Sequence, residues 1–564
     1  MLRTRMRTGA ARALAALVLV AAASFALSRV AAPSPRLHAL APQVTAAGRV
    51  VSLQGRFFGR TRGTSAVTFA GGEPRTSAYR SWSDERVVVV VPPSFASGLV
   101  RVVTPAGASD GILLTHRDDL PRPVAGGPRP AGPPIVTAVS PAVGAVGEQI
   151  TISGAGFGAS PGAVRFTAAA GGEAAAAANP GAQGPPHRVV ESSSVDLDHV
   201  RWSDRLIVVR VPAGARSGEV SVRTATARSA AQEFEVRSDV GTVRFLDPRG
   251  YAATYAVSFA AAGAADGAEL YLWIPAVPAT PAQHHLAEPA GNRRPIRRDS
   301  AGVGLFPLRG PLSSGGHEVR SDYRVVRYAI ETSIDASSVR AYRTDSRFHR
   351  RFPGGDAIAP SGGRLPAIAQ RAMRGYVNPL WRARLTFQYV VARLQPAAAA
   401  GARVAPAGTA PMEVVITAID ERRAAPYEYA LTFSAVARAA GIPARPVAGY
   451  LIDADAMAIP HYWAEFYLQD FGWVPVDPAM EAGAALLTWT GDDTAVDPWF
   501  GRLDSRRIAL AKGISDPQPI ARARRLRRPE VPGLQTAHVD VAGASAEFRT
   551  NWEGLTVTER FRAP

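Results

Sequence analysis

Residues Tyr427–Tyr450 read Tyr-Glu-Tyr-Ala-Leu-Thr-Phe-Ser-Ala-Val-Ala-Arg-Ala-Ala-Gly-Ile-Pro-Ala-Arg-Pro-Val-Ala-Gly-Tyr, and two further blocks follow, His461-Tyr-Trp-Ala-Glu-Phe-Tyr467 and Gly472-Trp-Val-Pro-Val-Asp-Pro478. Tyr427–Ala440 is apolar, alanine-rich and made of good helix formers. Gly441 supplies a helix stop, and Pro443 keeps the helix from resuming. Val447–Ile452 reads as a strand, and the two aromatic blocks read as strands of a hairpin turning near Gln469–Gly472. Positions 461 and 477 are symmetric about residue 469. The spacing therefore predicts His461 directly opposite Asp477, with Cβ atoms ~5 Å apart. A carboxylate placed there holds an imidazole in one tautomer and orientation.

Upstream, helical periodicity runs over Arg364–Tyr376 and Pro379–Leu394, the second with apolar positions at Leu380, Leu385, Tyr389, Val390 and Leu394. Helices followed by antiparallel strands indicate an α+β core.

The pieces Phe433–Arg445, His461–Glu465 and Gly472–Pro478 are similar in order, spacing and composition to the transglutaminase-like family. That family has a cysteine at the start of a helix, then a Phe-x-Ala-Leu-Ala-Arg-Ala-x-Gly-Ile-Pro-Ala-Arg run, a His-x-Trp-x-Glu strand and a Gly-Trp-x-x-x-Asp-Pro strand. The resemblance covers residues 345–515, including Phe500–Gly513, and implies a papain-like fold with His461 and Asp477 as two triad members. Trp463 and Tyr427 become cleft candidates, and Glu465 a partner for an arginine. Counting back from Phe433 to the family's cysteine lands on Pro426. The chain contains no cysteine at all, so no shift of alignment supplies a thiolate. Proline has no nucleophilic atom, yet the first helical turn tolerates it because its missing N–H is not needed there. No Ser or Thr lies between Ala424 and Leu431, and Thr432 is almost two turns along. The implied protein is a pseudoenzyme.

Two N-terminal segments resemble each other. One has Gly55-Arg56-Phe57-Phe58-Gly59, Trp82-Ser83-Asp84 and a Val87–Val91 strand; the other has Gly154-Ala155-Gly156-Phe157-Gly158, Trp202-Ser203-Asp204 and a Leu206–Val211 strand. Both are similar to the IPT/TIG family of immunoglobulin-like domains, over 42–116 and 133–237. The resemblance implies two β-sandwiches used as spacers or adhesion modules. The Ala/Gly-rich insert Ala168–Asp198 reads as a loose loop, and Leu120–Pro134 as a linker. Residues 241–340 read as a small β domain preceding the core, with strands at Tyr251–Phe259, Leu270–Pro275 and Tyr323–Ile330. Residues 530–564 form a C-terminal β segment, in which Thr536–Arg549 and Gly554–Phe561 look like a closing hairpin. The expected architecture is thus multi-domain: two all-β immunoglobulin-like sandwiches, a small β domain and an α+β papain-like core.

The 52 glycines and 46 prolines cluster between periodic segments, which favours β-rich modules over one helical body. The formal charge of +17 suggests a nucleic-acid binder, but all basic residues except Lys512 are arginine. Coding bias toward arginine accounts for this, so no specific nucleic-acid partner is expected. The basic run Arg522–Arg528 reads as a solvated linker. Arg3, Arg5, Arg7 and Arg12 precede an apolar run, Ala13–Leu27, that is short for a bilayer span. Residues 1–32 read as a signal peptide or signal anchor, placing the protein outside the cytoplasm, with the membrane touched only through that segment. His284-His285 and the scattered carboxylates lack metal-ligand spacing, so no metal or cofactor is expected. The expected partner is a protein, peptide or cell-wall ligand at the envelope. Two rival readings are a hydrolase using His461 and Asp477 as general base and a purely structural or adhesive surface protein.

Overall fold

The computed structural model describes residues 33–117, 132–168, 189–237, 240–262, 269–287, 289–295, 297–298, 303–308, 317–344, 348–352, 359–397, 409–484, 499–513, 524–527, 538–542 and 547–563. The expected leader (1–32) and most of the Leu120–Pro134 linker lie outside them. The chain divides into two compact units between Arg117 and Asp118.

In the first unit, strand alternation builds two sheets over one core. Val87, Val89 and Val91 are buried while Val88 and Val90 are half-buried, the period of two that a one-sided sheet requires. One sheet runs Arg36–Ala41, Val50–Arg56, Arg86–Val90, Tyr79–Trp82; the other runs Val44–Thr45, Ile112–His116, Gly98–Thr104, Ala66–Thr68. Phe58 plugs the end of this core. A Cβ on Gly55 would meet Arg36 O at 1.9 Å and the Phe58 ring at 2.3 Å, so only glycine fits. The Trp82 indole donates to Phe58 O at 3.1 Å, and Asp84 accepts the Gly59 N–H at 3.0 Å.

The second unit opens with the same device. A Cβ on Gly154 would meet Ile135 O at 2.0 Å and the Phe157 ring at 2.4 Å. Trp202 donates to Phe157 O at 3.2 Å, and Asp204 accepts from Gly158 N–H at 3.1 Å. The repeated Gly, Phe, Trp and Asp therefore form one turn-and-plug unit in each copy. The insert departs from expectation. Residues 169–188 lie outside the described part, but Val189–Glu191 is a strand paired with Ala163–Ala168, and the following turn is not loose. Val195 is buried, Asp198 Oδ2 accepts the Ser193 N–H at 2.8 Å, and Ser193 Oγ donates to Ala279 O at 2.7 Å.

Two long strands, Gly241–Ala262 and His317–Ile334, pair antiparallel from Gly241↔Ile334 to Phe259↔His317. Among the described residues the C-terminal strands do not pair with each other as the expected closing hairpin. Glu547–Arg562 instead pairs with Gly241–Ala262, and His538–Ala542 pairs with Glu269–Ile274 in a separate sheet. Each segment closes an edge that would otherwise expose unpaired backbone groups.

The core places Leu365–Met373, Pro379–Arg393 and Pro411–Glu421 around the Pro426–Ala439 helix. That central helix is buried from Tyr427 to Arg438, as its all-round apolar sequence demands. It packs on a four-stranded antiparallel sheet ordered Gly472–Val476, Ala458–Leu468, Ala444–Ile452, Arg507–Lys512.

One side chain joins this sheet to the insert turn. Arg445, on the Ala444–Ile452 strand and 2 % exposed, donates to Glu465 Oε2 at 2.7 and 3.0 Å, to Val195 O at 2.6 Å and to Asp196 Oδ1. Its guanidinium lies 3.8 Å from the Trp473 ring centroid. Lys512 bridges the same carboxylates, at 3.0 Å from Asp196 and 2.9 Å from Glu465. Burial alone would raise the Glu465 carboxyl, but Lys512 and Arg445 outweigh it and hold it down at about 2.

Removing the cation leaves buried carboxylates short of a partner. Arg445→Met should cost about 3–5 kcal/mol, read as a lowered urea midpoint. Arg445→Lys should fail to restore it, because an ammonium cannot reproduce the paired N–H contacts to Glu465 together with the Val195 carbonyl bond and the planar face on Trp473.

Candidate functional site

The Pro426–Ala439 helix starts with proline at its first position, where the residue costs no backbone hydrogen bond. The preceding Ala425 is extended, and its N–H is taken by Glu428 Oε2 at 3.0 Å. The positive end of the helix is thus neutralised by the chain's own carboxylate. The first turn packs against the Ala458–Leu468 strand: the Tyr427 and Tyr462 rings meet edge to face, with centroids 5.3 Å apart.

His461 sits on that strand and Asp477 just past the end of the next. Their side chains meet, Nε2 to Oδ2, at 2.8 Å. The route differs from the expected one. The strands pair Ala464↔Val476 through Leu468↔Gly472, so the hairpin is centred on Asp470, not residue 469. Asp470 takes φ +62° at the turn. In that register His461 and Asp477 are diagonal rather than directly opposed. A shift of two positions keeps both side chains on one face of the pleat, and diagonal neighbours are within side-chain reach.

Asp477 is a hub. Oδ2 accepts from His461 and from Arg507 Nη1 at 2.9 Å, while Oδ1 accepts the Met480 N–H at 3.0 Å and caps the short Pro478–Glu481 helix. Burial pushes this carboxyl up, but His461, Arg507 and the Met480 N–H together bring it to about 2. An ionised Asp477 makes Nε2 the protonated nitrogen of His461 and leaves Nδ1 as the potential acceptor. Arg507 is pinned in turn by Asp504 and lies 5.2 Å from the Trp463 ring and 5.5 Å from the Trp499 ring.

The structure brings His461, Asp477 and Trp463 together in packed interior: they are 1 %, 0 % and 1 % exposed. Tyr427 is buried and Pro426 half-buried. Trp463 stacks at 20° to the His461 ring. Sequence reasoning missed Arg507, Asp504 and Asp196. Lys512 carried a signal, as the single lysine of the chain. Among the described residues no three His, Asp or Glu side chains gather to hold a metal ion. The ring Nε2 atoms of His284 and His285 lie 3.1 and 3.0 Å from Pro281 O and Val277 O.

A small cleft lies where the insert turn meets the core. Phe348, Tyr467 and Trp473 line it, with Asp196, Asp198 and Lys512; His461 and Asp477 do not. Asp196 Oδ2 is buried there without a protein partner. Burial and the neighbouring Asp196 push the Asp198 carboxyl up to about 8, against the opposing pull of the Ser193 N–H, Arg210 and Arg445.

Residues 366–478 match the family described as the Transglutaminase-like superfamily, so this stretch is a transglutaminase-like domain. No protein of curated function matches the chain. Among solved structures, a protein named as a candidate cysteine protease from Cytophaga hutchinsonii aligns at 11% identity over 56% of this chain and 100% of its own, TM-score 0.35. The periplasmic domain of TgpA from Pseudomonas aeruginosa aligns at 18% identity over 41% of this chain and 89% of its own, TM-score 0.25. The protein SGBP-B from Bacteroides uniformis aligns at 9% identity over 53% of this chain and 99% of its own, TM-score 0.14.

Two predictions follow from the Asp477 hub. Asp477→Ala should lower stability by about 3–5 kcal/mol, since it strands Arg507 in the interior; calorimetric melting checks this. In wild type, nitrogen NMR of the histidines should show His461 as the Nε2–H tautomer, a signal absent from the variant. The carboxyl is held below its unfolded value of 3.8. Its contribution is therefore complete above that pH and is lost as pH falls toward 2.

Proposed function

We propose that this is an exported, non-catalytic binding or scaffolding protein of the cell envelope, built on a transglutaminase-like domain. One observation carries the reading: proline occupies the first position of the helix where an acyl-accepting thiolate is required, in a chain with no cysteine. Acyl transfer in this fold begins with a sulfur–carbon bond, and no atom at Pro426 can form it. The Ala425 N–H, which would face an anion at that helix end, is occupied by Glu428. His461 and Asp477 then serve as a structural pair, and their burial supports this.

Binding falls to the cleft beside Arg445. Its aromatic wall and mixed carboxylates and cations suit a peptide or a cell-wall fragment, which presents apolar faces and hydrogen-bonding groups together. The two N-terminal modules, read as IPT/TIG-like sandwiches, act as spacers. Export rests on the sequence of residues 1–32.

Intact-mass spectrometry after incubation with acyl-donor peptides should show no covalent adduct. Titration with peptidoglycan fragments should show saturable binding that weakens at least about tenfold, or ~1.4 kcal/mol, in Phe348→Ala. Affinity should be unchanged in Met457→Ser, an exposed control position. Amide or ester turnover that vanishes in His461→Ala would instead establish the general-base hydrolase. No binding in any arm would leave the structural or adhesive role.

A further inference from the structure

The corner between the Leu365–Met373 and Pro379–Arg393 helices exposes apolar side chains that the core has no use for. Val377 is 84 % exposed, Tyr376 53 % and Trp381 44 %. Burying such groups is normally favourable, so their presentation requires a rigid support. Arg374 and Gly375 take φ +49° and +82°, which turns the chain sharply. Tyr376 N–H bonds back to Met373 O at 3.0 Å. Asn378 then fixes the next helix: its Oδ1 accepts from the N–H groups of Leu380 and Trp381, and its Nδ2 donates to Ala336 O at 2.8 Å. The corner is held open on both sides of Val377.

Charge along this stretch of sequence has one sign. From residue 357 to residue 412 the sequence has no Asp or Glu and seven arginines. Arg371 and Arg374 are exposed beside the corner, and Arg382 Nε lies 2.9 Å from Met373 Sδ. Two carboxylates from neighbouring elements come near, and both are engaged. Asp335 accepts from Ser337 and Ser338, and Asp420 pairs with Arg364 at 2.7 Å.

We infer that this corner docks on the surface of an anionic lipid bilayer. Tyr and Trp favour the depth of the headgroups, where ring and polar tip are both accommodated. A single exposed valine reaches past them, and arginines on the flanks meet lipid phosphates. Three apolar side chains are too few for a stable protein interface, which buries about 800 Å² on each partner. A bilayer needs no shape match, and it supplies the negative charge that the corner lacks. This contact is separate from the N-terminal segment and brings the core itself to the membrane. It rests on the envelope reading only for its setting, because binding to vesicles is measured without it.

The absence of cysteine makes the test clean, because one introduced thiol is the only labelling site. Full-length Val377→Cys carrying an environment-sensitive dye is mixed with vesicles of phosphatidylcholine alone or with added phosphatidylglycerol. The dye should shift to a nonpolar emission on the anionic vesicles and stay water-like on the neutral ones. Adding Arg371→Gln and Arg374→Gln should lower the docked-to-undocked ratio about 30-fold. The same dye on Met457→Cys, another exposed apolar position, should not respond. The inference is overturned if position 377 stays in water on anionic vesicles, or if both labels respond alike, which means unspecific adsorption. It is also overturned if the dye is buried without lipid in proportion to protein concentration, which means self-association.

Discussion

A single guanidinium fixes how the second unit is put together. Arg445 has two carboxylates, one carbonyl and one indole face around it, and nearly none of it reaches solvent. The desolvation of such a charge is tolerated only when every donor finds an acceptor. Those acceptors come from other parts of the chain: Glu465 from the adjacent strand of the core sheet, Val195 and Asp196 from the insert turn. Satisfying one arginine therefore commits that turn to a fixed seat on the core. The cleft beside it is a by-product of the same seam, formed where the packed surfaces part.

A second buried network lies one strand away. Arg507, Asp504, Asp477 and His461 form it, with Trp463 beside it, and Arg507 uses Nη1 and Nη2 while its Nε has no protein partner. A histidine–aspartate pair at this position of a transglutaminase-like domain has the form of catalytic machinery. Here its partners are an arginine and a helix N-terminus, and both side chains are buried. The pair is so engaged that releasing any member strands another in the interior.

The amino-terminal repeats and the helix corner obey simpler rules. A glycine that only a hydrogen can occupy, a phenylalanine plug and an indole donor recur in both copies. Arg374, Gly375 and Asn378 hold open a corner whose apolar tip no other element covers among the described residues. In each case local backbone constraints decide where a side chain points, and the hydrophobic core then accepts it or excludes it.

The sequence by itself determined the central helix, its glycine stop, the strand hairpin, the repeated turn-and-plug motif and the absence of any thiol. These depend on residues close in the chain or on composition, where period and turn chemistry suffice. It also brought His461 and Asp477 together, although in a pairing register two positions off, an error that a period of two forgives. Only the tertiary structure decided that Arg507 and Asp196 complete the buried networks, that the insert turn is ordered, and that the C-terminal strands join separate sheets. Arg445 with Asp196, and the C-terminal strands with their sheets, link residues hundreds of positions apart. What selects them is the need to satisfy buried charge and open sheet edges, which no local pattern records.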